Sequence, residues 1–167
     1  MPIHTLSIDS PLGTWTLHAT PTHLTRLTPG HTNKPSPDRG AAPAVLNDAA
    51  ERLAVYLAGQ PVSFDDLPLA PAGTPFQQRV WAALRQIPRG QTRTYGRLAR
   101  ELGQPTAARA VGAANARNPI PVLIPCHRVI AATGKLQGFA LGLDLKQKLL
   151  DLEQAPARAR QSPLLPV

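Results

Sequence analysis

Alternating apolar and polar residues open the chain and predict a β-hairpin. The segments "IHTLSID" and "TWTLHAT" each place every second side chain on one face, and the turn residues "SPLG" lie between them. The segment "HLTRLT" predicts a third strand. Residues 28–43, "TPGHTNKPSPDRGAAP", are rich in Pro, Gly and polar residues, and they predict a loop.

A helical period replaces the alternation from residue 43 onward. In "PAVLNDAAERLAVYLAG" apolar side chains recur at helical spacing, and Gly59 follows as a stop signal. The members of this stripe are Leu46, Ala49, Ala50, Leu53 and Leu57. The segment "PLAPAGTP", residues 68–75, predicts a linker. We therefore assign residues 1–72 to one domain, 73–155 to a second and 156–167 to a tail.

The second domain begins with a helix-start signal. Thr74, Pro75 and Gln77 form the pattern of a capping box with proline at the first helical position. The predicted helix ends at Pro88 and Gly90. Its apolar face consists of Phe76, Val80, Leu84 and Ile87, with Trp81 beside them.

Two further short helices follow in "TYGRLARELGQPTAARAVGAANARN". The first has the apolar stripe Tyr95, Leu98, Ala99 and Leu102. Gly103 is placed to end it, and Thr106 is the predicted cap of the second. Two short helices around a Gly-containing turn indicate a helix-turn-helix, although a plain helical hairpin gives the same pattern.

The charge of the chain is concentrated in the second half. Residues 1–72 contain four Lys and Arg against six Asp and Glu, whereas residues 73–167 contain fourteen against four. A basic surface favours a polyanion partner such as nucleic acid, and a generically charged surface is the alternative. No apolar run approaches the ~20 residues of a membrane span, and no signal peptide is recognisable. A single cysteine indicates a reducing compartment, so we expect a cytoplasmic protein.

The second helix of the pair is made mostly of small residues. Arg109 is its only long side chain before Asn115, so it offers few groups that could read bases in the major groove. Small residues suit close approach to the minor groove, or a tight contact between helices. Four nearby arginines favour DNA bound without sequence preference; they are Arg93, Arg97, Arg100 and Arg117.

The only cysteine, Cys126, lies in "NPIPVLIPCHRVI". Prolines forbid helix and favour extended backbone, so we expect a buried, extended segment. A lone buried cysteine is often only a small hydrophobic residue, but the basic neighbours His127 and Arg128 favour a reactive thiolate. Adjacent side chains of a strand point apart, so a water would have to connect Cys126 with His127.

A carboxylate near the end of the last helix could orient the imidazole of His127. In "DLKQKLLDLEQ", Asp144 is the predicted cap, and Leu145, Leu149 and Leu152 are expected to face the core. Glu153 shares a helix side with Leu149 and could act as the acid of a triad does. A surface Glu at a helix end is the alternative.

The motif Pro125-Cys126-His127-Arg128, with Asn118-Pro119 and the helix-turn-helix, resembles the O6-alkylguanine-DNA alkyltransferases (methylated-DNA–protein-cysteine methyltransferases). The similarity runs from about residue 73 to 153. It implies an α/β (α+β) fold with a small amino-terminal ribonuclease-H-like αβ domain and a mostly helical carboxyl-terminal domain. It also implies one irreversible transfer of an alkyl group from O6-alkylguanine, and also O4-alkylthymine, in duplex DNA to Cys126.

The resemblance further implies site residues. His127 would act through water as the base, Glu153 would polarise it, and Asn118 would brace the turn. Carbonyls of Cys126 and Val129 would read the exocyclic amine of the flipped base. The remaining substrate-binding residues would be Tyr95, Leu136, Phe139, Ala140 and Leu141. The DNA-binding residues would be Tyr95, Gly96, Gln104, Ala107, Ala108, Arg109, Gly112 and Ala132, with Arg109 filling the gap in the base stack.

The sequence departs from the family pattern in two ways. Leu141 stands where many relatives have Gly or Trp, and the cysteines through which some relatives bind zinc are missing. The histidines His4, His18, His23 and His31 have no metal-ligand spacing. We therefore expect a monomer without metal or organic cofactor. Two alternatives are a non-catalytic alkyltransferase-like protein that binds DNA damage, in which the cysteine is replaced, and a cysteine hydrolase.

Overall fold

The computed structural model describes residues 2–31, 39–136 and 138–153. The chain divides into two compact units, Met1–Ala72 and Gly73–Val167. The predicted tail 156–167 lies outside the described residues, as do residues 32–38 of the predicted loop. No helix within the described ranges is long and apolar enough to cross a membrane.

The first unit is a three-stranded antiparallel sheet covered by one helix. Strands β1 (His4–Ser10), β2 (Gly13–Ala19) and β3 (Leu24–Pro29) are hydrogen-bonded in sequence order, and α1 (Ala44–Leu57) packs on β1 and β2. A short 3₁₀ turn, Arg39–Ala41, precedes α1. The hairpin, the third strand and the helix predicted from the sequence are confirmed.

The alternation in β1 and β2 has the expected physical cause. Leu6, Trp15 and Leu17 face Leu46 and other apolar residues of α1, and all four are at most 3% exposed. Burying one large apolar side chain stabilises the fold by roughly 1.5–3 kcal/mol, so the apolar face of the sheet determines which side receives the helix.

Part of the predicted linker extends this sheet. The amide of Leu24 donates to the carbonyl of Pro68 over 2.9 Å, and the amide of Ala70 donates to the carbonyl of Leu24 over 2.8 Å. Residues 68–70 therefore pair with the start of β3, which a Pro-rich sequence does not indicate.

The second unit is mostly helical. Its elements are α2 (Pro75–Leu84), β4 (Arg93–Thr94), α3 (Tyr95–Glu101), α4 (Ala108–Ala116), a 3₁₀ turn (Cys126–Arg128), β5 (Val129–Ile130) and α5 (Leu143–Leu152). Helices α3 and α4 pack together as the predicted helix-turn-helix. The two short strands form a parallel pair in which Arg93 aligns with Val129 and Thr94 with Ile130.

Two helix starts rest on threonine side chains. The Thr74 hydroxyl accepts from the Gln77 amide over 3.2 Å, and the Gln77 side chain accepts from the Thr74 amide over 2.9 Å, which confirms the capping box. The Thr94 hydroxyl accepts from the Arg97 amide over 3.1 Å. This cap fixes the start of α3 at Tyr95.

Two predicted caps are wrong. The cap residue of helix α4 is Ala107. Its amide donates to the Gln104 carbonyl and closes a turn that contains Thr106, so Thr106 lies outside the cap position. Helix α5 starts after Gly142, whose φ of 97° turns the chain two residues before the predicted cap. Asp144 therefore sits in the first turn and pairs with Lys148 over 2.9 Å.

The core face of α5 also differs from the prediction. Leu149 and Leu150 are fully buried together with Lys146, whereas Leu145 and Leu152 are only half-buried. The buried stripe of α5 therefore includes a lysine, whose ammonium donates to the Val129 carbonyl.

The cap of α3 yields a stability prediction. Thr94→Ala removes an N-cap hydroxyl that is 2% exposed, and we expect the free energy of unfolding to fall by about 1 kcal/mol. Thr106→Ala is the matched control, since that hydroxyl caps no helix, and should change the free energy by less than about 0.5 kcal/mol. Urea unfolding measures both; equal losses would contradict the structure.

Candidate active site and DNA-binding surface

Cys126 begins a tight turn and does not lie on an extended segment. It is 3% exposed, its amide donates to the Ile124 carbonyl over 2.7 Å, and Arg128 closes the turn on Pro125 over 3.0 Å. The prediction of burial is confirmed and that of extended backbone is wrong. Prolines exclude helix, but they do not exclude tight turns.

Asn118 holds the chain that leads into this turn. Its Nδ2 donates to the Ile124 carbonyl over 2.7 Å, and its Oδ1 accepts from the Ile120 amide over 2.9 Å. Between these points Val122 has φ of 75°, which is rare for a β-branched residue. Strain of this kind persists only where the surroundings impose it, and the two Asn118 bonds are part of those surroundings.

His127 and Glu153 form a buried pair. His127 Nε2 lies 2.8 Å from Glu153 Oε1, and the two residues are 0% and 5% exposed. The alternative of a surface Glu is therefore excluded. Arg128 binds the same carboxylate with two nitrogens, Nη2 to Oε1 over 2.7 Å and Nε to Oε2 over 3.0 Å.

The protonation of this pair follows from its surroundings. Burial by itself would raise the pKa of Glu153, but the hydrogen bond from His127 and the hydrogen bonds and charge of Arg128 outweigh burial and hold this pKa well below its usual value. Burial lowers the pKa of His127. A neutral His127 then donates Nε2–H to an ionised Glu153, and Nδ1 is the acceptor nitrogen of the ring.

Burial raises the pKa of the Cys126 thiol to about 11, although a hydrogen bond from Asn118 and the charge of Lys146 act in the opposite direction. The resting group is therefore a thiol, and its reaction requires a base. Tyr95 is half-buried close by. Burial, and then the charge of Cys126, raise its pKa to about 12, so its hydroxyl stays protonated.

Two glycines leave room for Tyr95. A Cβ built on Gly138, whose φ is 70°, would lie 2.7 Å from the Tyr95 hydroxyl oxygen, which is too close. A Cβ on Gly112 would lie 3.7 Å from the ring, which is ordinary contact. The loop around Gly138 therefore meets Tyr95 directly.

Lys146 is a site residue that sequence reasoning missed. It is 0% exposed, its Nζ donates to the Val129 carbonyl over 2.5 Å, and the same nitrogen lies 6.0 Å from the centre of the Phe139 ring. Burial lowers its pKa to about 8. Its spacing of three and four residues from Leu149 and Leu150 is the signal that could have found it.

Asn115 was also missed. It ends the buried side of α4 at 1% exposure, and its Nδ2 donates to the Cys126 carbonyl over 3.3 Å. Helix α4 is further tied to α2, because the Trp81 indole donates to the Ala114 carbonyl over 2.9 Å. The helix that carries Arg109 thus contacts the backbone of the cysteine.

The loop predicted to wall the substrate pocket is placed in part. Phe139 is buried, Leu136 and Leu141 are half-buried, and Ala140 is exposed, while residue 137 lies outside the described residues. Val129 is fully buried in β5. Ala132 is exposed.

The residues predicted to contact DNA lie on or near the helix-turn-helix. Arg109 and Gln104 are exposed, whereas Gly96, Ala107, Ala108 and Gly112 are half-buried. Two of the four arginines predicted to favour DNA are internal. Arg97 binds Glu101 over 2.9 Å at 6% exposure, and Arg93 donates to the Thr92 carbonyl over 3.1 Å at 8% exposure. Arg100 and Arg117 are exposed.

Within residues 2–31, 39–136 and 138–153, no three His, Cys, Asp or Glu side chains are close enough together to hold a metal ion.

Comparison with known proteins identifies both units. Residues 75–155 match the family model of the 6-O-methylguanine DNA methyltransferase DNA-binding domain, and residues 3–71 match that of its ribonuclease-like domain. A methylated-DNA–protein-cysteine methyltransferase of Mycobacterium tuberculosis is 47% identical over 94% of this chain and 96% of its own. One from Methanosarcina acetivorans is 58% identical over 65% of this chain and 69% of its own.

Solved structures of the same family are also similar to this chain. The Mycobacterium tuberculosis O6-methylguanine methyltransferase matches with a TM-score of 0.79 and 46% identity, covering 95% of this chain and 96% of its own. A structure of Mycobacterium tuberculosis OGT in complex with DNA matches with a TM-score of 0.78 and 46% identity over 92% and 96%. The chain belongs to the O6-alkylguanine-DNA alkyltransferase (methylated-DNA–protein-cysteine methyltransferase) family, and the fold expected from the resemblance is confirmed.

The buried ammonium yields a prediction on reactivity. Lys146→Met removes a positive charge that lowers the pKa of Cys126, so this pKa should rise above about 11. The thiolate fraction at neutral pH should fall roughly tenfold for each pKa unit. Because a thiolate of higher pKa is intrinsically more nucleophilic, alkylation of Cys126 by iodoacetamide should slow roughly threefold per unit. The substitution also leaves the Val129 carbonyl without its Lys146 donor, which costs about 1–3 kcal/mol, so urea unfolding is measured alongside to show that the variant is folded in the assay.

Lys148→Met is the matched control for this experiment. Lys148 lies on the same helix but is exposed and pairs only with Asp144 among the ion pairs of the described residues. Mass spectrometry of the labelled cysteine peptide gives both rates. An unchanged rate in Lys146→Met would show that the ammonium does not influence the thiol.

Proposed function

We propose that this protein repairs DNA by moving an alkyl group from O6 of guanine to Cys126 in a single, irreversible step. Family membership gives the reaction class, transfer of an alkyl group from DNA to a cysteine of the protein. One observation carries the assignment of this reaction to particular residues. His127, which directly follows Cys126, forms a buried hydrogen-bonded pair with Glu153. O4-alkylthymine is a further candidate substrate.

The proton of the thiol must leave before or during attack. His127 accepts it at Nδ1 through a water molecule, and the ionised Glu153 stabilises the imidazolium that forms. The thiolate sulfur then forms a bond to the alkyl carbon, the bond from this carbon to O6 breaks, and the electron pair leaves with guanine. Tyr95, whose pKa of about 12 keeps its proton in place, donates a hydrogen bond to the departing base.

The residues around the Cys126 turn have proposed roles in binding the substrate base. The carbonyls of Cys126 and Val129 read the exocyclic amine, and Lys146 holds the second of these carbonyls in place through its 2.5 Å bond. Asn118 braces the turn. The loop residues Leu136, Phe139, Ala140 and Leu141 wall the site, and the bulk of Leu141 limits the size of the alkyl group that fits.

DNA is the partner that presents the base. The guanine O6 atom lies inside the duplex, so the nucleotide must leave the stack at a cost of a few kcal/mol. Helix α4, with its small residues, approaches the minor groove, and the exposed Arg109 fills the gap. The other residues that contact DNA are Tyr95, Gly96, Gln104, Ala107, Ala108, Gly112 and Ala132. A thiol that must stay reduced suits the cytoplasm.

Turnover should stop after one event. A thioether has no carbonyl for water to attack, so the product cannot be hydrolysed as a thioester is. Incubation with O6-methylguanine DNA should add one methylene to the mass of the protein, on the peptide that contains Cys126. Cys126→Ser should abolish transfer, because an alcohol is far less acidic than a thiol, while DNA affinity is retained.

Intact mass, peptide mapping and product counting decide this prediction. Several turnovers per protein molecule, as a hydrolase would give, contradict the mechanism. Methylation at another residue contradicts the assignment of Cys126. Binding to damaged DNA without any gain in mass would indicate the non-catalytic alternative.

Arg109 should matter only when a base has to be held out of a duplex. Arg109→Ala should slow repair of duplex DNA roughly tenfold or more, in line with an unstacking cost of a few kcal/mol, and should leave reaction with free O6-benzylguanine unchanged. Arg117→Ala, an exposed arginine just after α4, is the control for loss of charge. Equal losses on both substrates would refute the role of Arg109.

A further inference from the structure

Asn115 links the helix that carries Arg109 to the reactive cysteine. It lies in the last turn of α4 (Ala108–Ala116), is 1% exposed, and reaches the Cys126 carbonyl through Nδ2 over 3.3 Å. This bond also fixes which way the amide is turned, because rotating it would set Oδ1 against the carbonyl oxygen. The Asn115 Oδ1 atom is therefore an acceptor held close to Cys126.

This acceptor lacks a protein donor in the described part of the chain. Asn115 Oδ1 is buried without a hydrogen-bond partner among residues 2–31, 39–136 and 138–153. A buried acceptor left without a donor is destabilising, because it has lost its hydration and gained no hydrogen bond in return. Native proteins usually satisfy such an atom with an ordered water that has two to four polar partners.

We propose that Asn115 positions the water through which His127 takes the proton of Cys126. The water accepts the thiol proton and donates one of its own protons to His127 Nδ1. Its other proton is donated to Asn115 Oδ1 throughout. This second bond orients the water, because a molecule with two protons needs two acceptors to present one of them reliably to the imidazole. The inference rests on the proposed function, and Asn115 itself exchanges no proton.

The charges around Cys126 determine how the rate depends on pH. The groups are His127 and Arg128 in its own turn, Tyr95 of α3, and Lys146 and Glu153 from the α5 segment. Without an oriented water, ionisation of the thiol relies on hydroxide. The defect of a variant without this water should therefore be largest at neutral pH and should shrink as the pH approaches the pKa of the thiol, about 11.

Asn115→Leu tests this role with little change in volume. Its reaction with O6-benzylguanine at neutral pH should slow roughly tenfold to a hundredfold, within the range of general-base catalysis, and its rate should approach that of the unaltered protein with rising pH. A defect of constant size at every pH, as a purely structural role would give, or no defect at all, would overturn the proposal. Ala116→Leu, exposed on the same helix, should behave like the unaltered protein.

Two further measurements keep the proposal testable. Iodoacetamide should show the same pH-dependent defect; if the unaltered protein takes up no benzyl group, the proposed function fails while this profile still tests Asn115. A crystal structure of the unreacted protein should show a water bonded to Asn115 Oδ1, Cys126 Sγ and His127 Nδ1. A protein donor on Oδ1, or a water that reaches neither Cys126 nor His127, would refute the assignment even if Asn115→Leu does not fold.

Discussion

The carboxylate of Glu153 holds the two residues that follow the cysteine, and the rest of the site depends on it. Taking a carboxylate out of water costs several kcal/mol unless strong partners replace the hydration. Arg128 supplies two charge-assisted hydrogen bonds and His127 supplies a third. Because Arg128 keeps the carboxylate ionised, His127 is fixed in the tautomer with its proton on Nε2. The basic nitrogen of the ring therefore depends on an arginine that takes no part in the chemistry.

A four-residue parallel pair sets the position of the thiol relative to Tyr95. Val129 and Ile130 directly follow the Cys126–Arg128 turn, and they align with Arg93 and Thr94. Thr94 in turn caps α3 so that Tyr95 is its first residue. Cys126 and Tyr95 are thus attached to the same short ladder, and their separation is set by backbone hydrogen bonds. The adjacent loop adapts to Tyr95 through Gly138, where a side chain would collide with the hydroxyl.

Local rules predicted those parts of the fold that depend on neighbouring residues. The capping box at Thr74 and the first hairpin follow from residue types at fixed spacing. The pairing of Glu153 with His127 joins residues 26 positions apart; the helix side of Glu153 leaves it as one of two alternatives, and only the family resemblance favours it. The predictions failed where tertiary contacts decide. Thr106 has the chemistry of a cap but sits outside the cap position.

Charge in the sequence does not show where a side chain points. Arg93 and Arg97 look like DNA contacts in a basic segment, yet both are bonded inside the second unit. Lys146 lies on an apolar face, where a sequence pattern predicts leucine, because its ammonium finds the Val129 carbonyl. Solvent exposure and internal hydrogen-bond partners arise only once the helices pack, so no sequence spacing could separate Arg97 from the exposed Arg100.

Burial of the cysteine is an advantage for a residue that acts once. A thiol with a pKa of about 11 is almost wholly protonated at neutral pH, which protects it from the oxidants and stray electrophiles that consume exposed thiolates. The intrinsic nucleophilicity of a thiolate also rises with its pKa. In the proposed mechanism His127 removes the proton, and the same burial that hinders ionisation then yields a stronger nucleophile. In that mechanism the proton path from Cys126 to His127, and not the thiol alone, determines when the protein can react.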